Sequence, residues 1–286
     1  MPSLIDIRRR IRSVKNTQQI TKAMKMVAAA KLRKAQDRVI AARPYAAMLE
    51  KILANAASAA QAGGAELSHP LLARRDEKRV QLVLLTSDRG LAGAFNSNLI
   101  KAAQKFVQER PGCQLALEAV GRKGRDFFRR RSADITGEYV GVFNNVQVSD
   151  AQKVAKAVSE RYSNGDVDAV YLIYNEFKSV ISQKITVKRI LPVALPEEIV
   201  HIDYIYEEPP AELLESLLPR YVENALFTAM LESASSEHAA RMTAMDSASS
   251  NAADVIDKLT LYMNRVRQAS ITKEIIEVVS GAAALE

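Results

Sequence analysis

At 286 residues and 31.5 kDa, with 48% hydrophobic and 26% charged residues, the chain can bury one sizeable core or two modest ones and is too apolar for a disordered tail. No run of roughly 18 apolar, uncharged residues is present, and the opening MPSLIDIRRRIR sets arginines where a signal peptide needs its apolar stretch, so a cytoplasmic, unprocessed protein is expected. The single cysteine, Cys113 in PGCQLAL, cannot form an internal disulfide and lacks the partners of a metal site, so it is expected to be a buried structural thiol.

The net charge of +7 is unevenly spread. Residues 1–40 carry eleven Lys or Arg against Asp6 and Asp37, whereas the other 246 residues hold 29 basic and 31 acidic side chains, a net −2. A basic stripe of this kind can face nucleic acid, anionic lipid or an acidic protein surface, and charge alone does not choose among them.

From Leu4 onward a strict three-four spacing selects Leu4, Ile7, Ile11, Val14, Gln18, Thr21, Lys25, Ala28, Leu32, Ala35, Val39, Ala42, Ala46, Leu49 and Leu53, a coiled-coil seam with a polar interruption. No glycine precedes Gly63, so one helix is expected over about 4–58, with a kink possible at Pro44. Residues 61–77, holding Gly63, Gly64 and Pro70, read as a linker. Over 78–207 short apolar strands alternate with helical stretches (VQLVLLTS, LAGAFNSNLIKAAQKFVQ, CQLALEAV, VAKAVSERY, DAVYLIYN), which predicts an α/β domain, and QKITVKRILPV supplies a mixed edge. Beyond Pro209 and Pro210 a helical pattern runs over 208–286, glycine-free from 211 to 280, with Pro219 either a kink or the first turn of its main part. A second seam is read through Ala248, Ala252, Val255, Leu259, Tyr262, Val266 and Ala269, widened by Ile256 and Met263. Two long helices from opposite ends, bracketing a globular insert, predict an antiparallel coiled coil of residues 1–60 and 208–286 beside the α/β domain. The Ala- and Ser-rich stretch SASSEHAARMTAMDSASSNAAD permits close backbone approach, as in a rod turning inside a sleeve or in a plain Ala-rich helix pair.

Candidate chemistry is thin. TSDRGLAGAFN stands between a strand and a helix, where a phosphate loop would sit, but lacks both G-x-G-x-x-G and G-x-x-x-x-G-K-[ST], so Gly90 and Gly93 read as turn and packing glycines. VGRKGRDFFRRR reads as a basic helix face. His69, His201 and His238 are far apart, with no His or Cys at ligand spacing, and no Ser/His/Asp or Cys/His set emerges. No catalytic, cofactor or metal residue is therefore assigned. Nucleic-acid binding through the basic stripe is disfavoured because no aromatic precedes Tyr45 and the same helix carries a continuous seam.

The opening IRRRIRSVKNTQQITKAMKMVAAAKLRKAQDR and the ending ARMTAMDSASSNAADVIDKLTLYMNRVRQASITKEIIEVVSGAAA resemble the two terminal helices of F-type ATP synthase gamma subunits, and TSDRGLAGAFN, KRILP and DYIYEEP are similar to the middle of the same family. The likeness spans nearly the whole chain and follows the bacterial pattern, without the paired cysteines of plastid forms. It implies a Rossmann-like α/β domain between coiled-coil helices, and a non-catalytic rotor without cofactors. Such a shaft passes through a hexamer of alternating alpha and beta subunits and stands on the membrane c ring with the epsilon subunit. It couples proton flow to the beta sites, and its place is peripheral, on the cytoplasmic side of the bacterial inner membrane. By the same resemblance, Met24, Lys25, Arg241, Arg267, Gln268, Thr272 and Glu274 meet the beta subunits, and Tyr204, Tyr206 and Glu207 meet the c ring or epsilon. The polar interruption at Gln18, Thr21 and Lys25 reads as a bearing surface.

Overall fold

The computed structural model describes residues 3–62, 69–180, 182–194 and 208–283. Its elements run α1 (Leu4–Ala62), β1 (Arg79–Leu85), α2 (Phe95–Gln108), β2 (Gln114–Val120), α3 (Arg122–Arg129), β3 (Ile135–Tyr139), α4 (Val148–Ser163), β4 (Ala169–Phe177), β5 (Gln183–Leu191) and α5 (Pro210–Ala283), with 3-10 turns at Pro70–Leu72 and Val142–Asn144. Chain contacts form two compact units: residues 1–28 with 242–286, and residues 29–241.

In the larger unit the strands order as β3-β2-β1-β4-β5, with β1 to β4 parallel and β5 antiparallel to β4, the mixed edge expected from QKITVKRILPV. This is a doubly wound, Rossmann-like sheet whose strand order reverses at β1 and β4. Both faces are covered, so β1 reads as a continuous apolar run rather than an alternating one. Val80, Leu82 and Leu84 pack with Leu99, Ala103 and Phe106 of α2 and Phe128 of α3. Val83 and Leu85 point the other way, into a core shared by α4 and the stretches of α1 and α5 in this unit, where Leu53, Leu218 and Leu226 are wholly buried. Ahead of β1, Leu71 enters the same core, its carbonyl accepts from Val193 N at 2.9 Å, and Arg75 donates to the Tyr162 carbonyl at 2.7 Å. Half-buried Cys113 packs beside the α2 core and donates its thiol to the Glu77 carbonyl.

Helix α1 continues through Pro44, and Pro219 lies in the third turn of a helix that begins at Pro210. All fifteen seam positions of α1, from Leu4 to Leu53, are buried or half-buried. The α5 seam follows its expected line at Ala252, Leu259 and Val266 and takes in the widening positions Ile256 and Met263, and elsewhere it moves one residue on, as from Ala248 to Ser249 and from Ala269 to Ser270. Met242, Met245, Ser249, Ala252, Ile256, Leu259, Met263, Val266 and Ser270 are the covered three-four series, while Val255, Tyr262 and Ala269 are exposed. Residues 230–239 of α5 are buried on every side, and Ser236 donates to the Asn175 carbonyl of β4 at 3.2 Å. Here the small side chains bring the helix close to the sheet, Ser235 Oγ donating back to the Leu231 carbonyl at 3.0 Å while Ser233 Oγ is buried without a partner among the described residues.

Candidate functional site

Three places carry the residues singled out by sequence, and the first is the polar layer in the smaller unit. Gln18 Nε2 donates to the Ser249 carbonyl at 3.2 Å, Thr21 Oγ1 and Ser249 Oγ lie 2.7 Å apart, and Lys25 Nζ meets Asp246 Oδ1 at 2.6 Å. Rising numbers on α1 meet falling numbers on α5, so the two helix segments run antiparallel. The break in the apolar seam is thus filled by bonds across the helix pair. A polar layer fixes register, because a one-turn slip would leave the buried Thr21 and Ser249 hydroxyls without each other and would part Lys25 from Asp246. Lys25 and Asp246 remain largely accessible and Met24 is half-buried on the same turns.

The second place is the far end of α5. Arg267, Gln268, Thr272 and Glu274 are all exposed, Glu274 accepting from Ser270 Oγ at 3.3 Å. From residue 271 to 280 every side chain is exposed, including Ile271, Ile275, Ile276, Val278 and Val279.

The third place is the loop after β1, at the carboxyl edge of the sheet where its strand order reverses and where such folds usually receive ligands. Here the protein fills that edge with its own groups. Asp88 Oδ1 accepts from the backbone N–H of Arg122 at 3.1 Å and of Gly141 at 3.0 Å, so the N-terminus of α3 already holds a carboxylate. Thr86 Oγ1 accepts from Gly124 N at 2.8 Å, and Asn96 is tied to Ser87 by three bonds. Gly121, at φ 98°, is obligatory: a Cβ there would lie 1.9 Å from the Thr86 carbonyl oxygen. Against this loop lies α5, whose Arg241 donates to the Gly90 carbonyl at 3.2 Å and to Glu237 Oε1 at 2.7 Å.

Arg241 is mostly buried and committed to these partners. Burial raises the Glu237 carboxyl above the usual carboxylate range, with Arg241 opposing and Asp88 adding to the shift. His238, one residue on, is pushed down to about 4, first by burial and then by the charges of Arg241 and Lys31. Sequence reasoning passed over Glu237 and Asp88 and weighed His238 only as a metal ligand; a buried position for SASSEHAAR would have pointed to Glu237 and His238, while nothing in TSDRGLAGAFN marked Asp88. Tyr204, Tyr206 and Glu207 lie outside the described residues. Among the described residues no group of three or more His, Cys, Asp or Glu could hold a metal. His69 instead accepts the Leu71 N–H at the head of a 3-10 turn.

The family model described as ATP synthase matches residues 3–285. The ATP synthase gamma chain of Solibacter usitatus is 65% identical over 286 residues, and that of Pelotomaculum thermopropionicum 52% over 289, each over the full length of both chains. Among solved structures, a chain of the Tetrahymena thermophila mitochondrial ATP synthase central stalk and c-ring is 30% identical, with a TM-score of 0.64 over 80% of this chain and 99% of that one. A chain from the Euglena gracilis mitochondrial ATP synthase in rotational state 3 shares the fold, with a TM-score of 0.69 at 20% identity over 99% and 94% of the two chains. With this match along its whole length, the chain belongs to the ATP synthase gamma chain family.

Proposed function

We propose that this chain is the non-catalytic rotor shaft of a bacterial proton-translocating ATP synthase, turning proton flow through a c ring into conformational change at catalytic beta subunits. The observation that carries the reading is the end of α5. A helix that keeps ten consecutive residues exposed, five of them Ile or Val, is built to lie in a sleeve supplied by other chains. The self-filled loop after β1 supports a role without nucleotide chemistry, since its helix N-terminus is taken by Asp88. In this reading residues 1–60 and 208–286 form the shaft, 61–77 link it to the 78–207 domain, and that domain meets the c ring and epsilon through Tyr204, Tyr206 and Glu207. Met24, Lys25, Arg267, Gln268, Thr272 and Glu274 meet the beta subunits, as does Arg241 once it exchanges its Gly90 and Glu237 partners for theirs. No helix among the described residues is long and apolar enough to cross a membrane, which suits attachment to the cytoplasmic side of the inner membrane through partners.

Coupling then works by differential contact. An asymmetric shaft presents a different side to each beta subunit at any angle and so favours a different conformation in each. Gln268 and Thr272 are four residues apart and share one helix side, while Arg267 and Glu274 share another. The test is an alpha/beta hexamer assembled with this chain. Gln268→Leu and Thr272→Val keep volume and helix while removing hydrogen bonds of about 0.5–1.5 kcal/mol each, and turnover or assembly should fall while the free chain keeps its circular dichroism. Wild-type turnover, coupling and assembly in both variants would make this segment ordinary helix surface.

A further inference from the structure

A cleft of about 370 Å³ opens in the larger unit between α1, α5 and the segment after the Val142–Asn144 turn. Its charged wall is Lys31, Lys34 and Arg38, successive residues on one face of α1, and no carboxylate lines it. Lys31 and Lys34 are exposed and make no ion pair or hydrogen bond among the described residues, although this chain pairs cations readily elsewhere. Arg38 is held in place by donating to the Val146 carbonyl and to Asn145 Oδ1 at 3.4 Å, which leaves further guanidinium N–H groups free for a second acceptor. The floor is His238 of α5, nine-tenths buried, with its Nδ1 unpartnered.

We propose that this cleft binds a small phosphate-type oxyanion, with Lys31, Lys34 and Arg38 supplying the charge and His238 a hydrogen bond at the base. Three cations side by side repel one another, and Glu237, whose field reaches Lys31, is already paired with Arg241. An oxyanion relieves that repulsion and offers acceptors to the guanidinium, which matches phosphate geometry. His238 is held neutral first by burial and then by Arg241 on its own helix and Lys31 on α1; Arg241 is already paired with Glu237, so the unpaired cation acting on the histidine is Lys31. A nucleotide is the poorer fit, because the phenylalanine in the lining, Phe143, is 6% exposed and packed into the core, leaving no open ring face for a base. The site belongs to the larger unit, whereas the exposed α5 end that carries the functional reading belongs to the smaller one.

The experiment uses the full chain and pyrophosphate as probe, followed through the ring C–H resonance of His238, one of only three histidines. Binding at about millimolar strength or better at constant ionic strength should move that resonance and raise the pH at which His238 titrates. Lys31→Gln with Lys34→Gln should weaken binding about tenfold or more, and both positions are exposed, so the fold should hold. Arg38→Lys, which keeps charge but loses the planar fork, should weaken it less. Inorganic phosphate should follow pyrophosphate with lower affinity. An unmoved His238 resonance, equal affinity in the double variant, an equal shift from added chloride, or ADP binding more tightly than pyrophosphate would each overturn the proposal.

Discussion

Both compact units bury a stretch of α1 against a stretch of α5, yet they do so with different side chains. In the larger unit the α1 seam has Leu32, Val39, Leu49 and Leu53 at most 4% exposed, with half-buried Ala35, Ala42 and Ala46 between them, and the apposed α5 stretch offers Leu218, Val222 and Leu226 at 0%. In the smaller unit most seam residues are only half-buried and the middle of the seam is Gln18, Thr21 and Lys25. One spacing rule therefore serves two purposes. Where the helices are also packed against a sheet, apolar burial supplies the stability. Where two helices have only each other, less area leaves water, and polar bonds choose the register.

This contrast predicts its own largest effect. Leu226→Ala in the larger unit should cost about 2–5 kcal/mol, as for other fully buried leucines, whereas Leu259→Ala on the half-buried α5 seam should cost clearly less. Urea unfolding with hydrogen exchange resolves the two units. If the Leu259 variant were the more damaged, the smaller unit would hold more of the stability than its burial implies.

A second effect belongs to the larger unit alone. The folded pKa of His238 lies near 4 against 6.5 for the free side chain. Between those values the unfolded chain takes up the proton first, so stability falls as pH drops from about 6.5 to about 4, by up to roughly 3 kcal/mol. Glu118, Glu232 and Glu237, whose pKa values are raised mainly by burial, push in the opposite direction over their own range. The readable quantity is therefore the difference between wild type and His238→Gln. That difference should shrink as pH falls through this window, and a flat difference would mean that the histidine is not held neutral.

Thr21→Val tests the polar layer at the next level down. It removes the bond to Ser249, whose hydroxyl still donates to the Met245 carbonyl at 2.8 Å, so no buried group is orphaned on α5. A cost of about 0.5–1.5 kcal/mol in thermal unfolding is expected, with the register unchanged. A stabilised variant would show that area, not the hydroxyl pair, limits this part of the interface.

How much of this was legible follows the same line. The α1 seam could be read in full because Leu, Ile and Val mark it at regular intervals, and its polar members stayed in phase. The α5 seam was legible at Ala252, Ile256, Leu259, Met263 and Val266 but misplaced by one residue where Ser249 and Ser270 sit in it, while Val255 and Tyr262 lie outside it at 42% and 41% exposure. Where a seam is built of small residues, hydropathy no longer marks the buried face, and helix phase has to come from the partner. Four strands, β1, β2, β4 and the mixed edge β5, were readable from apolar runs, whereas the edge strand β3, ITGEY, was not, because its side chains alternate between half-buried and exposed and a glycine interrupts it. The close contacts of the loop after β1 with Glu237 and Arg241 were not, since residues about 150 apart in sequence meet there through the packing of α5 on the domain.

The smallest stability effect separates the two jobs that Lys25 can hold. Its pair with Asp246 is short but exposed at 42% and 61%, so Lys25→Glu should cost no more than about 1 kcal/mol in the free chain. Exchanging the charges with Lys25→Asp and Asp246→Lys restores an opposite pair at the same place, and stability should return close to wild type. The assembled complex is then the sharper instrument. If Lys25 also orients an acidic surface of the beta subunits, the exchanged pair leaves a carboxylate on α1 facing that surface. Coupling between hydrolysis and proton pumping should then stay impaired although the shaft is as stable as before. If the exchange restores stability and coupling together, the role of Lys25 lies within the helix pair, and the polar layer sets register without acting as a contact for the beta subunits.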